Sequence, residues 1–159
     1  MRVVVFGCGD PVRGDDGAAR AALAGLPPSA GRRATLREVT ELGVDDLLAL
    51  EPDTRLIVVD AVVGAEPGSL VRVDLEDLPR LAAQVRPRST HELPLDQVVG
   101  MAQVLGDTVR GTFLGIGGTD FGIGQPLSQP VWSGLPALSL AIADEIEGLG
   151  ARVPALAST

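Results

Sequence analysis

The chain has no lysine, asparagine or tyrosine, and only one cysteine, Cys8, and one histidine, His91. A lone cysteine cannot make an internal disulfide, which agrees with a reducing compartment. Cationic charge is also scarce. The 13 basic residues are all Arg, set against 21 acidic ones for a net charge of −8, and no Arg cluster exceeds the pair Arg32–Arg33. A nucleic-acid backbone requires clustered positive charge, so nucleic acid is excluded as a partner. The all-Arg bias reads as genomic base composition. Long apolar runs are missing too: stretches such as residues 3–6 and 56–59 fall far short of the roughly 20 residues that cross a bilayer. The start of the chain lacks the apolar core and small-residue cleavage site of an export signal. A cytoplasmic protein with no membrane partner is expected.

What is present suits one domain. A chain of 159 residues, 45% of them hydrophobic, can bury a substantial core. The domain is expected over residues 1–152, with a short flexible tail over 153–159. No linker, internal repeat or low-complexity segment interrupts it.

Strand and helix signals alternate. Residues 3–6 are apolar and β-branched and read as a buried strand ended by Gly7. An Ala- and Leu-rich stretch over 16–26 reads as a helix, with Asp15 or Asp16 as its cap and Pro27 and Pro28 as its stop. A second strand is expected at 35–39 and a helix at 44–50. The strongest strand signal is 55–60, which closes on Asp60. Residues 69–74 alternate apolar and polar, as an outer or antiparallel strand does. A helix over 93–105, a strand over 108–116 and a Gly-rich loop over 117–129 follow. The last element is an amphipathic helix over 130–149, with Val131, Leu135, Leu138, Ile142 and Ile146 on one side and Ser128 as its cap. This order predicts a three-layer α/β/α sandwich around a mostly parallel, twisted sheet of about five strands.

In such sheets functional groups gather at the carboxyl ends of strands. Three features fall there: the loop from Gly7 to Gly17 with Asp15 and Asp16, Asp60 at the end of its strand, and His91 at the entrance to the helix beginning near Leu93. Asp16, Asp60 and His91 are 44 and 31 residues apart along the chain, so only folding can bring them together. Two carboxylates and an imidazole suit a divalent transition metal. The expectation is that all three face one solvent-open hollow. Plainer readings stand beside it: Asp15 and Asp16 as helix caps, His91 as an ordinary surface or core residue, Cys8 as packing, and Trp132 as core or a partial cover for the pocket. Nucleotide binding is disfavoured. After Gly7 and Gly9, the third place of a dinucleotide loop falls on Val12, and without lysine there is no phosphate-binding P-loop.

Taken together, the segments from Val3 to Gly17 (strand, Gly-Cys-Gly-Asp turn, then Gly14-Asp15-Asp16-Gly17), Leu56 to Val62, Ser89-Thr90-His91-Glu92-Leu93, and Gly115-Ile116 with residues 122–130 resemble the hydrogenase maturation endopeptidases. The resemblance covers nearly the whole chain in order. It implies an α/β/α sandwich and an endopeptidase of aspartyl type that removes the C-terminal extension of a nickel–iron hydrogenase large-subunit precursor. It also implies that Asp16, Asp60 and His91 form the catalytic and metal-contacting set, with nickel supplied by the precursor rather than permanently held. Two positions and one stretch depart from the family pattern. Asp10 stands where Asn is usual and Ala19 where Gly is common, and residues 38–43 replace a D-G-G-T stretch, which bears on substrate identity. Two rival readings remain on the same fold: a non-catalytic metal-binding or chaperone module, and a metallopeptidase with its own permanent metal, though no H-E-x-x-H helix is present.

Overall fold

The computed structural model describes residues 2–81, 86–88, 95–104 and 110–148. Within them six strands appear in chain order: β1 (Arg2–Cys8), β2 (Thr35–Val39), β3 (Thr54–Val63), β4 (Leu70–Asp74), β5 (Arg86–Pro87) and β6 (Gly111–Gly117). Five helices accompany them: α1 (Ala18–Ala24), α2 (Pro28–Gly31), α3 (Val44–Leu48), α4 (Leu95–Val104) and α5 (Gln129–Ile146). The strands form one sheet in the order β2-β1-β3-β6-β4, with the two-residue β5 pairing to the far end of β3. The ladders of β1 with β2, β1 with β3 and β3 with β6 are parallel. Both β4, on β6, and β5, on β3, run antiparallel. The expected sandwich with a mostly parallel sheet is the observed fold, and β5 is the strand beyond the expected five. The expected tail over 153–159 lies outside the described residues.

Pleating sorts the apolar side chains into two cores. Val4, Phe6 and Cys8 of β1, with Leu56, Val58 and Phe113, pack on one face against Leu47 of α3 and Leu95, Val98, Val99 and Ala102 of α4. The opposite face sets Val5, Ile57, Val59, Leu114 and Ile116 against Ala18, Ala19, Ala22 and Leu23 of α1 and Val131, Leu138 and Ile142 of α5. Central strands with both faces covered need apolar side chains at every position, which is why β1 and β3 read as continuous runs rather than alternations. The end of α5 is fastened to the sheet through Glu145, which is buried. Its carboxylate accepts from the Arg72 guanidinium of β4 and from the Thr112 hydroxyl of β6, while Arg55 donates to the backbone carbonyls of Glu145 and Ile146.

Two of the element boundaries that differ from the sequence expectation concern the functional end of the sheet. The first helix starts at Ala18 instead of residue 16, because Gly14–Gly17 forms a separate 3-10 turn that packs against β3. The third strand does not stop at Asp60. It continues to Val63, since Ala61 and Val62 still pair with Ile116 and Gly117 of β6, and Val62 and Val63 pair with β5. The β1 ladder, by contrast, reaches only Gly7 opposite Val59. Asp60 therefore sits one residue beyond the last β1 pair, beside the notch left where β1 ends.

That notch lies at the topological switch point. The chain steps from β1 to β2 on one side and to β3 on the other, and α1 and α3 cover opposite faces. In open α/β sheets the crevice outside the strand ends at such a point is where ligands bind.

Candidate active site

The turn after β1 is built around the Asp16 carboxylate. Gly9 has φ +130°, and a Cβ there would stand 1.9 Å from the backbone oxygen of Asp16, so only glycine allows the turn to close. The next N–H, of Asp10, donates to Oδ2 of Asp16 at 2.8 Å. The N–H of Val12 then donates to Oδ1 of Asp10 at 3.0 Å, which locks the tip of the turn. Asp60 enters from β3, and its Oδ1 accepts the N–H of Ala61 at 2.8 Å. Each carboxylate thus accepts a backbone N–H.

The negative charges of Asp16 and Asp60 both act on the thiol of Cys8, the last residue of β1. Burial pushes that thiol well above its ordinary range, and the negative charges of Asp60, Asp46 and Asp16 push it further. The three acids come from β3, α3 and the post-β1 turn, so three elements bring negative charge to the end of β1. Cys8 stays a neutral, buried side chain there. Asp46 was not among the residues singled out from the sequence. The only signal for it was its position three residues after Gly43, whose N–H donates to Oδ2 of Asp46 at 2.8 Å. His91, the third expected member, lies outside the described residues. Among the described residues, no three His, Cys, Asp or Glu side chains stand close enough to hold a metal ion together.

The expected solvent-open hollow is not what the two acids occupy. Asp16 is 0% exposed and Asp60 is 1% exposed. The Asp10 turn folds over Asp16, and Asp60 lies within the sheet rather than at a strand tip. Capping is also corrected. Neither the 3-10 turn nor α1 has a side-chain cap, and Asp15 turns away from Asp16 altogether. Asp15 accepts from the N–H groups of Thr119, Asp120 and Ser128 at 2.8, 3.1 and 2.7 Å, and from the Ser128 hydroxyl at 2.8 Å. Burial alone would raise its carboxyl, but these donors outweigh it and hold Asp15 below the usual carboxylate range. The Ser128 hydroxyl is therefore spent on Asp15 and does not cap α5.

On the Asp60 side, the N–H of Arg88 donates to the carbonyl of Ala61 at 2.9 Å. The Arg88 guanidinium stacks over Phe121 at 5.1 Å. Trp132 is not core; it is 62% exposed at the start of α5. Among the described residues no helix is long and apolar enough to cross a membrane.

A doubly wound α/β/α sandwich with buried acids at its switch point defines the class. Solved structures of the same fold include the hydrogenase maturating endopeptidase HybD from Escherichia coli, at 22% identity over 93% of this chain and 94% of that one, with a TM-score of 0.69. The nickel–iron hydrogenase maturation protease HycI from Thermococcus kodakarensis is 26% identical over 92% of each chain, with a TM-score of 0.60. A hydrogenase 2 maturation peptidase from a Thaumarchaeota archaeon is 25% identical over 94% of this chain and 99% of that one, with a TM-score of 0.58. A comparison with curated protein sequences finds no match. A family model described as hydrogenase maturation protease matches residues 41–145, a stretch that includes Asp60 and His91 and begins after Asp16. This chain belongs to the hydrogenase maturation protease family, and its activity is that of an endopeptidase, a hydrolase of the peptide bond.

Proposed function

We propose that the chain removes the C-terminal extension from a nickel-loaded nickel–iron hydrogenase large-subunit precursor, and that Asp16, Asp60 and His91 receive the precursor's nickel. The observation that carries this reading is the placement of two buried acids, 44 residues apart in the chain, at the switch point: Asp16 in the turn after β1 and Asp60 on β3 one residue beyond the last β1 pair. Carboxylate and imidazole donors suit nickel. Chain length supports including His91: Arg88 is bonded to Ala61, next to Asp60, and the three residues from Arg88 to His91 span at most about 11 Å.

The nickel is part of the substrate. With both carboxylates buried, the metal-bearing end of the precursor reaches them by displacing the turn over Asp16. That requirement separates a docked precursor from free ions in solution. Once held, the metal polarises the scissile carbonyl or lowers the pKa of an attacking water. Alternatively, one carboxylate acts as general base while the metal only positions the substrate.

Purified protein is mixed with nickel-loaded and nickel-free precursor, and loss of the tail is followed by mass. Cleavage of the loaded form alone is expected. Equal cleavage of both forms would end the metal-gating idea, and cleavage of neither would end the assignment of this substrate.

A further inference from the structure

Asp16 stands between a tip that has to yield to the precursor and a base that is held from elsewhere. Pro11 and Val12 at the tip are exposed, whereas every residue of the Gly14–Gly17 turn is buried. Two of the bonds that Asp16 makes go to the tip. Its carboxylate accepts the N–H of Asp10 at 2.8 Å, and its own N–H donates to the carbonyl of Arg13 at 3.1 Å. A precursor that displaces the tip loosens both contacts just when Asp16 has to be in place. The tip is joined to the loop before α5 between two exposed residues, where the Gly124 N–H donates to the Val12 carbonyl at 2.7 Å. Bonds of that kind, open to water, are the first to give way.

The base is anchored by Asp15, and none of its partners belongs to the tip. The Asp15 N–H donates to the carbonyl of Asp120 at 2.8 Å. Its carboxylate accepts the N–H groups of Thr119, Asp120 and Ser128 and the Ser128 hydroxyl, so both oxygens are held. Asp15 is 0% exposed, which shields these charge-assisted bonds from competing water. Beside it the two backbones are in close contact: a Cβ on Gly14 would stand 2.4 Å from the carbonyl oxygen of Asp120. Asp15 and Asp16 share one planar peptide, with Cα atoms about 3.8 Å apart, so fixing the first restricts the second.

We infer that Asp15 is a positioning residue for tail removal: bonded to Thr119, Asp120 and Ser128, it keeps the Asp16 carboxylate at the notch while the precursor displaces the Asp10–Arg13 tip. The inference rests on the role proposed for Asp16 and adds a residue that touches neither the metal nor the peptide. A shift of about 1 Å at a reacting group costs roughly a hundredfold in rate, so an anchor one peptide bond away is read in the rate of cutting as well as in stability.

The test compares the full-length protein with Asp15→Asn, Ser128→Ala, Ser128→Thr and Glu145→Ala. Glu145 supplies the control for stability alone, because it ties α5 to Thr112 at the start of β6, the opposite end of that strand from Thr119. Two quantities are measured: the rate of tail removal at saturating nickel-loaded precursor, and hydrogen exchange of the Asp10 amide, whose acceptor is Asp16. Asp15→Asn is expected to cut about 10–100-fold more slowly and to exchange that amide at least about tenfold faster. Glu145→Ala is expected to stay within about twofold of the unmodified protein in both. Ser128→Ala is expected to fall between them, with Ser128→Thr restoring the rate. An unchanged rate or unchanged Asp10 exchange in Asp15→Asn overturns the inference, as do equal losses in Asp15→Asn and Glu145→Ala. Should Asp15→Asn fail to fold, Ser128→Ala decides in its place, and the unmodified values in that variant overturn the inference. Faster Asp10 exchange in Asp15→Asn, in a protein that leaves the precursor uncut even when unmodified, keeps the anchor and overturns the proposed substrate instead.

Discussion

Asp15 and Ser128, 113 residues apart, are joined at two points: the Ser128 N–H donates to Oδ1 of Asp15 at 2.7 Å and its hydroxyl to Oδ2 at 2.8 Å. The neighbouring acid, Asp16, faces the other way, toward Asp10 and the end of β1. Two adjacent and chemically identical residues therefore do different work. One fastens the loop before α5, and the other is placed where metal chemistry is proposed.

Asp15→Asn keeps the shape but puts an amide where charge-assisted donors converge. At least one of those donors loses its acceptor. Urea unfolding is expected to show a loss of about 2–3 kcal/mol, and a loss under about 0.5 kcal/mol would remove the structural role assigned to this carboxyl.

The same residue sets a pH dependence. Asp15 has its folded-state pKa depressed below the unfolded value, which is about 3.9. Its stabilisation is therefore fully present above that unfolded value and is lost as pH falls through the folded one. Stability of the protein is expected to fall more steeply below about pH 4 than that of Asp15→Asn. Parallel curves from denaturant titrations would contradict this.

Glu145→Ala strands the Arg72 guanidinium, which is only partly exposed and whose own pKa is raised chiefly by its hydrogen bond to Glu145. Breaking one partner of a buried pair costs about 3–5 kcal/mol. The lower end is expected here, because Arg72 keeps Asp74 at 3.4 Å. A shift in the denaturation midpoint with an unchanged slope is the signature to look for.

Glycine substitutions should separate by backbone geometry. At Gly9 a Cβ collides with the Asp16 carbonyl and φ is positive, so Gly9→Ala is expected to cost at least about 1–3 kcal/mol and to reduce cleavage by moving Asp16. At Gly100, inside α4, an added Cβ meets nothing within 4 Å. Gly100→Ala is expected to stabilise by about 0.5–1 kcal/mol. Similar melting shifts in the two variants would refute the distinction.

Asp16→Asn and Asp60→Asn remove the charges proposed to meet the precursor's nickel. Tail removal is expected to drop by roughly 10²–10⁴-fold in each, with the circular dichroism spectrum retained. Near-normal cleavage by either variant would take that residue out of the proposed set.

The sheet was legible because its central strands must be apolar on both faces. Residues 3–6 and 55–60 announced β1 and β3, and the alternation of Leu70, Val71, Arg72 and Val73 marked β4 as the antiparallel edge it is. β5 was not legible: Arg86-Pro87 carries no periodicity, and the strand exists only through its pairing with the end of β3. The sequence located Asp16 and Asp60 near strand ends but not their burial. That burial depends on a backbone turn held by Gly9 and Asp10 and on how far β3 outruns β1. The division of labour between Asp15 and Asp16 was equally hidden, since it is decided by a loop more than a hundred residues downstream.

That distant loop has a consequence during synthesis. A nascent chain that has released only its first hundred residues contains both acids of the notch, but Asp15 has none of its acceptor contacts, because Thr119, Asp120 and Ser128 have not yet emerged. The turn around Asp16 also lacks Gly124, the residue that pins it at Val12. A ribosome-bound fragment is thus a protease without its fastening, and competence to cut arrives late, when the segment leading into α5 clears the exit tunnel.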